Sequence, residues 1–162
     1  MLSVWYRCTF NKMFFSLAIT FGTTSYHLVM RLMVGFIFNL VMNNRADCKK
    51  RRWHVTTREM RLYEHIKVER WKGKMPTYHS SSFDHTAHSW EEIVQAMCQA
   101  ELVHETIAVL SFLPVAAGIW FGDFPVFIIT SAIAAMVDMT FVIIQRYNRG
   151  RILRLIMERK RA

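Results

Sequence analysis

The chain has 162 residues, 52% of them apolar, and carries 21 Lys and Arg against 12 Asp and Glu. A chain of this length has room for one domain, and a soluble one does not combine that apolar content with a formal charge of +9 unless charges and apolar residues lie in separate blocks. They do: the cations flank long apolar runs, which argues for a membrane surface over nucleic acid, and three scattered cysteines (Cys8, Cys48 and Cys98) give neither a complete disulfide framework nor a zinc spacing.

Residues 13–42 form a long apolar stretch in which Arg31 is the one Asp, Glu, Lys or Arg. About 20 residues of helix cross the hydrocarbon core, so this run predicts one tilted span with helix to spare. Gly22-Thr23-Thr24-Ser25 is a candidate bend. Arg7 and Lys12 precede the run, but its length and the missing small-x-small cleavage site predict an uncleaved anchor. Residues 45–74 then hold eleven basic and four acidic side chains. Within them Thr56-Thr57-Arg58-Glu59 has capping-box spacing and predicts a short helix to about Glu64.

Residues 72–88, rich in Gly, Pro, Ser and His, read as a loop. Ser89-Trp90-Glu91-Glu92 is a second capping box, opening a helix that starts in water and enters the membrane near His104. Pro114 lies inside the apolar run, where it is expected to kink a helix without ending it. Gly122-Asp123-Phe124-Pro125 predicts a tight turn, and residues 126–145 the returning limb of a helical hairpin. Residues 146–162 form a tail with seven basic residues and one acidic. The positive-inside rule places residues 45–74 and this tail in the cytoplasm and the turn on the other side, where the amino terminus also lies if the first segment crosses once rather than lying partly in the interface. The expected fold is an all-α, multi-pass protein of the cell membrane. It has about three transmembrane helices, with a C-terminal hairpin and a basic cytoplasmic helical segment, in a single membrane-embedded domain over 1–162.

Several groups can carry chemistry. Glu101 and His104 are three apart on one helix and share a face, and a His oriented by a carboxylate is a general base toward a hydroxyl. The same spacing also fits a polar face at the interface. Asp138, well inside the last span, calls for a partner such as Arg31 or His27, or for a functional role. Arg146, Arg149 and Arg151 close that span, with Gln145, Tyr147 and Asn148 among them. Such arginines hold phosphate or anionic headgroups, or simply anchor the helix. Trp71 and Lys72, in Arg70-Trp71-Lys72-Gly73-Lys74, read as an interfacial anchor or the mouth of a site. His79-Ser80-Ser81-Ser82-Phe83-Asp84 matches the His-x-x-x-x-Asp pattern of glycerolipid acyltransferases without that family's other blocks. His79, His85, His88 and His104 fit no familiar metal spacing, so no metal or other cofactor is expected.

Taken in order, these blocks resemble the glycosyl-4,4'-diaponeurosporenoate acyltransferases of the staphyloxanthin pathway. The resemblance rests on Trp71, Lys72 and Lys74; on Ala100, Glu101, Leu102 and His104; on Leu113 and Pro114; and on Gln145, Arg146, Tyr147, Asn148, Arg149 and Arg151. It covers roughly residues 63–154. Gly150 stands where the family usually has Pro, and Asp138 where it has an intramembrane Asn. The segment holding His79 is not the family's.

The resemblance implies transfer of a fatty acyl group to a sugar hydroxyl of a membrane-embedded glycosyl carotenoid or related glycolipid. Membrane lipid, an acyl donor (a thioester) and a glycosylated isoprenoid acceptor are the implied partners, and nucleic acid is not. On that reading His104 is the base and Glu101 orients it. Arg146, Arg149 and Arg151 hold the anionic part of the donor, while Asn148, Gln145 and Asp138 contact the sugar or fix the arginines. The competing expectation is a non-enzymatic membrane subunit that binds anionic lipid or a partner protein.

Overall fold

The computed structural model describes residues 12–48, 50–75, 83–84, 86–122 and 124–161. His79, His85 and Asp123 therefore lie outside the described residues, and so do Arg7 and Cys8. The described residues form helices and connecting turns, with no strand among them. As expected, three helical stretches are long and apolar enough to cross a membrane.

The first, α1, runs Lys12–Met42 without interruption through the Gly22 to Ser25 run. Its 31 residues reach about 46 Å at 1.5 Å each, well over the roughly 30 Å of hydrocarbon. Leu28, Leu32, Phe36 and Leu40 face outward as a lipid-facing stripe, while Met30 and Val34 pack on Ile107.

The basic segment folds back on the hairpin. Asn43 and Asn44 turn the chain with positive φ, and the Asn44 N–H donates to Gln99 Oε1 at 2.7 Å. The capping box forms as read: Glu59 N–H donates to Thr56 Oγ1, and Glu59 Oε2 accepts from the Thr56 N–H. It opens α2, Thr57–His65, which is followed by α3, Val68–Trp71. Met60, Tyr63 and Val68 pack on Ile144 and Tyr147, and Ala46 and Trp53 pack on Val94 and Cys98.

The second capping box, Ser89 with Glu92, opens α4, Trp90–Leu110. Pro114 does more than kink this helix. A proline has no N–H for the carbonyl four residues back, which is Leu110, and α-helix stops there. The apolar path continues as a 3-10 stretch, Leu113–Ala117, and a short α5, Gly118–Phe121. The Tyr26 hydroxyl donates to the Leu110 carbonyl at 2.7 Å, so α1 supplies the hydrogen bond that the proline withholds. Gly122, at φ +83, makes the left-handed turn that other residues resist.

The return helix α6 runs Phe124–Arg159, packed along α4. It does not end at Gln145. No proline interrupts residues 146–159, so the expected basic tail is the last part of the same helix. Gly150 is buried there against Met60, and a Cβ on it would stand 2.7 Å from Met60 Sδ. Phe15, near the start of α1, meets Phe121 beside the turn with ring centroids 6.0 Å apart. The start of α1 and the hairpin turn therefore lie at one end of the molecule, as the charge distribution predicts.

Candidate active site

Antiparallel packing of α4 and α6 places two buried carboxylates on opposite helices: Glu101 takes both its arginines from α6, and Asp138 takes His104 from α4 and Arg31 from α1. Glu101 on α4 is fully buried. Its Oε1 accepts from Arg146 Nη1 at 2.6 Å, and its Oε2 accepts from Arg149 Nη1. Arg146 Nη2 goes on to Glu59 Oε1 at 2.9 Å, which ties α2 to the hairpin. Arg149 is also fully buried, its guanidinium 5.3 Å from the centre of the Trp53 ring. A planar fork suits this bridging role, since one guanidinium reaches two acceptors along fixed directions.

About one turn further into the membrane, Asp138 on α6 is 1% exposed. Its Oδ1 lies 3.0 Å from His104 Nδ1, and its Oδ2 accepts from Arg31 Nη2 at 2.5 Å. The His104 ring stacks on Phe141, with centroids 4.7 Å apart and planes 13° apart. The side chain keeps 24% of its surface exposed. With Nδ1 on a carboxylate, the imidazole is held as the Nδ1–H tautomer, and Nε2 is the nitrogen free to accept a proton. The expected Glu101–His104 pair is thus replaced: the carboxylate that meets His104 comes from α6. Of the partners expected for Asp138, Arg31 is bonded to it and His27 is not.

The remaining candidates gather on a third patch, where α3 meets α6. Lys72 Nζ donates to Asn148 Oδ1 at 3.0 Å and lies 5.1 Å from the centre of the Tyr147 ring. Arg151 Nη1 meets Glu69 Oε1 at 2.5 Å, and the Tyr147 hydroxyl donates to the other Glu69 oxygen at 3.3 Å. The Trp71 indole N–H donates to the Ile66 carbonyl at 3.1 Å, fixing the ring at the edge of the patch. Gln145 is half-buried one residue before Arg146. Arg52 reaches Glu105, beside His104, at 2.5 Å.

Charge is balanced unevenly over these patches. Burial raises the Glu59 carboxyl, but the Thr56 N–H and hydroxyl together with Arg146 outweigh it and hold the group below the ordinary carboxylate range. Burial, reinforced by Arg151 and opposed by Glu69, lowers the Lys72 ammonium. Burial raises the Tyr63 phenol against the pull of Arg146.

Several of these partners carry little sequence signal. Glu59 is visible only as a cap, and Glu69 has no pattern around it. Cys48 and Cys98, fifty residues apart in sequence, place their sulfurs 2.7 Å from each other as free thiols.

Residues 44–158 match the family of glycosyl-4,4'-diaponeurosporenoate acyltransferases. The chain belongs to that family. No curated protein and no solved structure matches it. The matched span is more than two thirds of the chain and holds all three patches except Arg31, which comes from α1. As a member of this acyltransferase family, the chain is a membrane protein of a carotenoid pathway.

Proposed function

We propose that this chain moves a fatty acyl group from a thioester donor to a sugar hydroxyl of a glycosylated carotenoid or related glycolipid, with His104 as general base. The observation that carries this reading is the His104 Nδ1 contact with buried Asp138, 3.0 Å, beside a ring that stays partly open. His104 Nε2 takes the proton of the acceptor hydroxyl as its oxygen attacks the thioester carbonyl. The tetrahedral intermediate collapses, the carbon–sulfur bond breaks, and the thiolate leaves with the proton returned by the imidazolium. Asp138 orients the ring and stabilises the imidazolium.

The donor's anionic groups meet Lys72 and Arg151. Arg146 and Arg149 are committed to Glu101, and a buried pair of that kind does not open without a cost of several kcal/mol. Arg151 and Glu69 are 48% and 61% exposed. A pair of that sort is weak and exchanges readily for phosphate. The basic segments are assigned to the cytoplasm by the positive-inside rule.

Lipid mass spectrometry tests the reading on cells with the wild-type chain, the His104→Ala chain or neither. A glycolipid that gains one acyl mass only with the wild type is expected. An equal gain with His104→Ala, at equal protein level, rejects His104 as the base.

One observation favours the second reading, a non-enzymatic membrane subunit: all three arginines of the closing motif already have carboxylate partners. That reading predicts no acyl-mass difference in any strain. It also predicts that Arg151→Lys, which keeps charge and loses the fork, is silent.

A further inference from the structure

Beside the catalytic pair lies a groove of about 320 Å³ between α1 and α6. Thr24, His27 and Arg31 line it from α1, and Thr130, Ile133 and Ala134 from α6. Arg31 crosses its end to reach the Ala134 carbonyl at 3.5 Å and Asp138 at 2.5 Å. From there Thr24 is two helical turns away, about 10 Å, toward the turn end of the hairpin. The groove therefore starts at Arg31, the residue that bonds Asp138, and runs deeper into the bilayer.

His27 is the anomaly in it. Both ring nitrogens, Nδ1 and Nε2, are buried without a hydrogen-bond partner. The residue belongs to an apolar stretch long enough to span a membrane. An unpaired polar group is costly there, because the hydrocarbon offers no water in exchange. The two ring orientations related by a half-turn of χ2 have nearly the same shape, so either edge of the imidazole can face the groove.

What would pair with it follows from its chemistry. A neutral imidazole offers one donor and one acceptor, and a hydroxyl offers both in return. An anionic headgroup needs an uncommitted cation, and Arg31, the groove's cation, is already held by Asp138. The outer walls are apolar, with Leu28 and Ile133 exposed toward lipid. These features select an uncharged, hydroxyl-bearing head on a long apolar chain.

We propose that this groove seats the glycosyl head of the acceptor, entering sideways from the bilayer, and that His27 positions it through a sugar hydroxyl other than the reacting one. The proposal rests on the acyltransferase reading for the direction of the sugar toward His104. The glycoside site itself does not.

The test uses the full-length chain in phospholipid nanodiscs and measures binding of dodecyl β-glucoside, with dodecanol as the headless control. The wild type should bind the glucoside well above dodecanol. His27→Phe, which keeps an aromatic ring of suitable size for the apolar surroundings, should weaken glucoside binding about tenfold and leave dodecanol unchanged. His27→Gln, which keeps a donor and an acceptor, should recover most of the loss. In the acyl-transfer assay His27→Phe should raise the acceptor KM and leave kcat near the wild-type value.

Equal binding of glucoside and dodecanol, or glucoside binding unchanged in His27→Phe, overturns the proposal. Absence of acyl transfer by the wild type with the glucoside contrast intact would instead reject the proposed reaction and leave the glycoside site standing.

Discussion

Asp138 holds His104 with one carboxylate oxygen and Arg31 with the other, at 3.0 and 2.5 Å. A buried carboxylate shared in this way cannot be changed without affecting both partners. Asp138→Asn keeps an acceptor for the His104 Nδ1–H but leaves the Arg31 charge unpaired in the membrane. The single variant should insert poorly and lose transfer by about two orders of magnitude or more. Pairing it with Arg31→Leu should restore the protein level and leave the catalytic loss. A double-mutant cycle on detergent-extracted stability measures the coupling, and additive effects would show that the contact carries no energy.

Glu101 and His104 should part company when each is replaced. Glu101→Gln leaves fully buried Arg149 facing a neutral amide, and breaking a buried pair costs about 3–5 kcal/mol. The variant should accumulate poorly and unfold at a much lower temperature. His104→Ala leaves Asp138 its bond to Arg31, so it should lose much less stability than Glu101→Gln while losing transfer. Thermal unfolding of the purified proteins distinguishes the two, and a stable, inactive Glu101→Gln would return Glu101 to the chemistry.

Tyr26 and Pro114 are linked through the Leu110 carbonyl. Tyr26→Phe strands that carbonyl in hydrocarbon and should cost about 1–3 kcal/mol. With Pro114→Ala the residue at 114 regains an N–H for Leu110, so Tyr26→Phe should then cost much less. Unfolding in a mild detergent reads both costs. Equal penalties in the two backgrounds would mean that the hydroxyl is not filling the proline's place.

Glu59 makes the attachment of α2 to the hairpin sensitive to acid. Its carboxyl titrates below the ordinary range in the folded protein. Its contribution is therefore fully present above the unfolded carboxylate pKa, about 4.3, and is lost as pH falls through the folded value. Limited proteolysis of residues 50–75 should accelerate as pH falls below about 4, and Glu59→Gln should be cut at the fast rate already at neutral pH. A pH-independent cutting rate in the wild type would sever this link.

The helices were readable because their signals are local. Thr56 with Glu59 and Ser89 with Glu92 are three apart, and the apolar runs need only be long enough. The partners at the site were not readable. His104 has Glu101 on its own helix face, and spacing alone joins them. The choice was made by the register of α6 against α4, which delivers Arg146 and Arg149 to one residue and Asp138 to the other. No i to i+3 pattern encodes a register between two helices. Glu59 shows the same limit: its cap is legible from Thr56, while its second oxygen serves Arg146, 87 residues away. The end of α6 was misplaced for a related reason, because charge marks where a membrane stops and not where a helix does.

Glu101 precedes Arg146 by 45 residues in the chain. During synthesis it is therefore in the chain before either of its counter-ions exists. Until α6 has followed, the half-finished hairpin presents a bare carboxylate at the bilayer boundary, and that group has reason to stay in water. Arrival of the two arginines ends that state and draws α4 to its final depth.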